Sequence, residues 1–93
     1  MLLAILVLLG GCGEEPIPER ITGVVTEVRP TTGPVRDFSV EGAFGTFEVR
    51  IDPDRDYGFD LRHLEEHRDT GDPVIVRLED RGGQAFARSI EDA

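Results

Sequence analysis

The chain has 93 residues, one cysteine and a formal net charge of −9, with ten arginines and no lysine. So short a chain builds one domain with one small core, and a lone cysteine excludes an intramolecular disulfide. So acidic a surface repels phosphate backbones, because nucleic-acid affinity rests on clustered basic side chains that neutralise phosphates; a nucleic-acid partner is not expected.

Leu2 through Leu9 are all apolar, the length of the apolar core of a secretory signal and well short of the roughly 20 residues that span a bilayer. No Lys or Arg precedes Cys12, so the basic start typical of such signals is not present in this stretch. Leu9-Gly10-Gly11-Cys12 resembles a bacterial lipobox. The resemblance implies cleavage before Cys12 and lipidation of its thiol, with the protein held on the extracytoplasmic face of the cell membrane. Two or three acyl chains, each buried CH₂ worth ~0.8 kcal/mol, are enough for stable anchoring. Gly13 rather than Asp follows the cysteine, so no inner-membrane retention signal is visible. The organisation read from this is a signal segment over 1–11, a lipidated cysteine and Pro/Glu-rich extended tether over 12–19, and a domain over 20–93.

The domain opens on a β-branched run, Arg20 to Val28, bounded by Pro30. Its apolar residues fall on both faces around Gly23, which predicts a bent or bulged strand serving two parts of a core. After a loop at Thr31-Thr32-Gly33-Pro34, Asp37 to Glu41 alternates, Gly42 to Gly45 turns, and Thr46 to Ile51 returns with Phe47, Val49 and Ile51 inward. Asp52 to Gly58 is an acidic turn. Asp60 then stands at an N-cap position ahead of a helix running to about Arg68, ended by Gly71 and Pro73. Pro73 to Glu79 and Ala85 to Ile90 are the last two strands, joined through Gly82-Gly83.

Three strands, a short helix and two strands is the order of an OB-fold, a five-stranded Greek-key barrel with a helix between strands 3 and 4. Leu61 to Leu64, Gly71-Asp72-Pro73-Val74, Gly82-Gly83 and Ala87 to Asp92 resemble small bacterial lipoproteins with an OB-fold-like domain. The resemblance implies a mainly β fold and an envelope location, and it brings no established activity.

Two stretches carry residues able to do chemistry. His63-Leu64-Glu65-Glu66-His67 has the H-x-x-E-H spacing of inverted zinc proteases, but a two-turn helix in so small a domain does not supply the long helix and distant acidic ligand of those enzymes. At ~100° per residue, Leu61 and Leu64 face the sheet while Asp60, His63 and His67 gather on the solvent face, where they could hold Zn²⁺. The plainer alternative is a solvated face with His67 at the helix C-terminus. Asp52, Asp54 and Asp56 begin like an EF-hand, but Tyr57 and His63 stand where glycine and a bidentate Glu are needed, which leaves at most a looser Ca²⁺ site.

Phe38 and Phe47 belong to the apolar face, and Phe44, in the hairpin turn, is the aromatic expected to be exposed. Phe44 and Arg36 lie where OB barrels commonly meet ligands. No Ser/His/Asp arrangement, phosphate-cradling glycine loop or reactive cysteine is evident, so neither catalysis nor a cofactor is expected. The reading is a non-enzymatic, lipid-anchored binding or structural module whose partners are membrane lipid through Cys12 and an envelope protein or polymer. Its alternative is a weak Zn²⁺ or Ca²⁺ binder.

Overall fold

A computed structural model describes residues 17–30, 33–58 and 60–93. The apolar leader, Cys12, most of the tether, Thr31, Thr32 and Phe59 lie outside the described residues. The elements are β1 (Arg20–Arg29), β2 (Asp37–Gly42), β3 (Gly45–Arg50), α1 (His63–Thr70), β4 (Val74–Arg81) and β5 (Gln84–Asp92). The strands close into a barrel in the order β1-β2-β3-β5-β4, with β4 returning to β1. All neighbours are antiparallel except β3 and β5, which run parallel and meet at the single pair Arg50 and Phe86. No helix among the described residues is long and apolar enough to cross a membrane.

The expected bulge in β1 is present. Val25 pairs with Val40 and Glu27 with Ser39, so Thr26 is the extra residue. An extra residue shifts the two-residue alternation by one, and Ile21, Val25 and Val28 all reach the core. A second bulge, which the sequence reading does not contain, lies in β5: Leu78 pairs with Ala87 and Arg77 with Ser89, leaving Arg88 over. It turns Ile90 inward beside Ala87 and sets Asp92, two further on and exposed, on the same side of the strand end.

Phe38, Val40, Val49, Val74 and Val76 fill the barrel. Gly23 lets β1 pass close to β2, since a Cβ there would stand 2.3 Å from the Glu41 carbonyl oxygen. The helix is shorter at its start than expected and longer at its end. Asp60 precedes it by a turn, accepting a bond from the Arg62 N–H (3.0 Å), and α1 itself begins at His63. It stops at Gly71, whose φ of 80° no β-carbon-bearing residue adopts cheaply and whose N–H bonds the His67 carbonyl. Leu64, fully buried, docks α1 on β1.

Candidate functional site

Two places on the barrel bring functional side chains together. The first is an open groove of about 540 Å³ lined by Arg29, Asp37, Phe47, Glu48, Arg50, the Gly83–Ala85 turn and Ile17. It exists because β3 and β5 touch at one pair and then diverge. Phe47, expected inward, is half-buried and packs against the core while lining this groove. Charge of both signs rims it. Arg29 is held by Asp37, Glu27 and the Ser39 hydroxyl, the last at 3.1 Å. Arg36 and Phe44 do not meet there or anywhere else. Arg36 is exposed just before β2 and Phe44 follows it, 96% exposed at the hairpin tip, so they sit at opposite ends of that strand.

The second place is a cleft of about 350 Å³ between α1 and the ends of β4 and β5, lined by His63, Glu66, His67, Asp72 and Asp92 among others. Here the expected trio of Asp60, His63 and His67 is corrected. The two histidines do converge, with ring centroids 4.7 Å apart and edge to face. Asp60 is not part of the converging group: its carboxylate accepts from the Arg62 N–H (3.0 Å) and its backbone carbonyl from the His63 N–H (2.8 Å) at the start of α1. Its place is taken by Asp92, whose Oδ1 lies 2.7 Å from His67 Nε2 and 3.6 Å from His63 Nε2. The three side chains each bring a nitrogen or oxygen atom within 4.8 Å of the others. Nor is His67 on a solvated face. It is 6% exposed, because α1 packs this side against the strand ends.

The outer nitrogens are held as well. His67 Nδ1 donates to the Asp72 carbonyl (2.7 Å) and His63 Nδ1 pairs with Glu66 Oε1 (2.8 Å), one turn along the helix. Burial by itself would drive the proton off His67. The Asp72 carbonyl, the bond to Asp92 and the charges of Asp92 and Asp72 outweigh it, and its pKa stands above the ordinary imidazole value.

The acidic turn has other work. Asp52 accepts from the Asp54 N–H and from Arg81 (2.9 and 2.8 Å), and Asp56 accepts from the Gly58 N–H (2.9 Å). These bonds shape the turn and tie it to β4, and among the described residues the turn contributes to no group of converging metal ligands. Tyr57 completes the tie, its hydroxyl donating to the Ala87 carbonyl (2.8 Å) and accepting from the Asp52 N–H (3.0 Å). Asp92 is the residue that sequence reasoning missed. It is 25 positions from His67, and its only signal is the register that pairs it with Val74, next to Asp72 and Pro73. Compared with known proteins, the chain matches no family model, and no curated protein is significantly similar to it.

Proposed function

We propose that the protein is a lipid-anchored binding module of OB-fold type on the extracytoplasmic face of a membrane, recognising a segment of an envelope protein or polymer in the groove beside β3. The observation that carries this reading is the groove itself. It combines an apolar floor of Phe47, Ile17 and Ala85 with a rim of Arg29, Asp37, Glu48 and Arg50. It crosses β2, β3 and the β4–β5 turn, the region where OB barrels take ligands. A surface of mixed charge with half-buried apolar patches suits a flexible polar chain better than a phosphate backbone.

The tether fits the same reading. Ile17 packs against the core and lines the groove, so the chain leaves the barrel beside it. The five residues from Ile17 back to Cys12 reach at most roughly 18 Å when extended. A lipidated Cys12 therefore holds the groove close to the membrane surface.

The test is the intact mass of the chain extracted from bacterial membranes, beside Cys12→Ser. A mass for cleavage before Cys12 plus lipid, with C12S lost from the membrane fraction, is expected. An uncleaved, unmodified chain overturns the anchor. A photo-crosslinking side chain at Glu48 then captures an envelope partner, where one at Arg62, outside the groove and just before α1, does not; equal capture at both positions overturns the groove.

A further inference from the structure

We propose that His63, His67 and Asp92 form a Zn²⁺ site where α1 meets the ends of β4 and β5, with the fourth position open to the cleft. The inference is independent of the anchor and of the groove. It rests first on donor chemistry: two imidazole nitrogens and one carboxylate oxygen suit a borderline ion such as Zn²⁺, and three protein ligands leave one position for water or an incoming group.

The distances agree. Zinc–ligand bonds of 2.0–2.2 Å put neighbouring ligand atoms of a tetrahedral site about 3.3 Å apart. The Asp92 Oδ1 to Nε2 distances, 2.7 Å to His67 and 3.6 Å to His63, bracket that value. The three candidate atoms lie within 4.8 Å of one another, and the Asp92 side chain, 62% exposed, has room to adjust as they close on an ion. The histidines are four residues apart on one helix face, the spacing that brings two side chains to one ion.

Hydrogen bonding orients both rings for this task. A backbone carbonyl only accepts, so the contact to Asp72 puts a proton on His67 Nδ1 and turns Nε2 to Asp92. His67 Nε2 and Asp92 Oδ1 lie 2.7 Å apart, a hydrogen bond whose proton a bound metal ion replaces. Glu66 orients His63 in the same manner, and such outer partners raise ligand basicity and fix the ring. The adjoining surface, lined by Asp60, Glu65, Glu66 and Asp69 with Arg62, adds negative potential that favours a cation.

The full chain, stripped of metal and held in detergent, is titrated with Zn²⁺ alone while binding, melting temperature and circular dichroism are followed. One ion per chain is expected, saturating below millimolar concentration and raising the melting temperature. Co²⁺ in its place gives the visible absorption of a four-coordinate ion. His63→Ala and Asp92→Asn each weaken binding at least tenfold, whereas Asp60→Asn, which keeps the acceptor that opens α1, binds within twofold of the parent. Absence of saturable binding in the parent overturns the site, as does parental affinity in D92N or a loss in D60N equal to that in D92N. Asp92 is exposed and at the end of its strand, so D92N carries the test if H63A unfolds.

Discussion

Gly23 lies where two strands pass closest. A methyl group at this position meets the Glu41 carbonyl oxygen at 2.3 Å and Val40 Cγ1 at 2.9 Å, and the first is backbone that cannot swing aside. Gly23→Ala is therefore expected to cost about 3 kcal/mol, at the upper end of ordinary overpacking, because the β1–β2 ladder must open to admit it. Urea unfolding checks this against Thr22→Ala on the exposed face of the same strand, which should stay within about 0.5 kcal/mol of the parent. A Gly23→Ala protein as stable as the parent would mean that the strands are not held at this separation.

Among the elements, α1 depends most on its neighbours. Eight residues are too few to hold a helix in water, so its persistence rests on docking. Leu64 is its fully buried anchor, and His67 its second buried residue. Leu64→Ala removes the anchor and leaves a void that the barrel rim cannot close, which predicts a loss of about 2–5 kcal/mol in urea unfolding. The same variant should lose helical circular dichroism. Retained helix signal at parental stability would show that α1 is held by something other than Leu64.

For the molecule as a whole, charge sets the response to acid. Arg81 bonds Asp52 at 2.8 Å and Glu79 at 3.3 Å, and its guanidinium lies 4.5 Å from the centre of the Phe86 ring, so it clamps the turn after β3 to the β4–β5 hairpin. The bond from Arg81, ahead of smaller contributions, holds the Asp52 and Glu79 carboxylates below their ordinary pKa values. A carboxylate with a depressed folded-state pKa contributes stability that is complete above its unfolded value and lost as pH falls through the folded one. The contribution is therefore present above pH 4.5 and fades on acidification below 3.8. Protonation also relieves the self-repulsion of a chain of net charge −9, an opposing effect shared by every variant. The sign is read from the difference: Arg81→Ala should be less stable than the parent near neutrality, with the gap closing below pH 3.8. A gap independent of pH would reduce Arg81 to its packing on Phe86.

Local patterning by itself determined the five strands, the bulge in β1, the short helix and the partners Leu64 and His63, because alternation, β-branching and turn residues act over a few positions. It also supplied the lipobox resemblance of Cys12, which lies outside the described residues. Only the tertiary structure decided where β3 and β5 part to open a groove, that His67 is buried, and that Asp92 rather than Asp60 meets the histidine pair. The reason is physical. Continuous alternation would put Ser89 and Glu91 on the inward side, but the extra residue Arg88 shifts the period, buries Ile90 and sets the exposed Asp92 on that side at the strand end. That shift is set by pairing with β4 across the barrel, a constraint that no window of neighbouring residues contains.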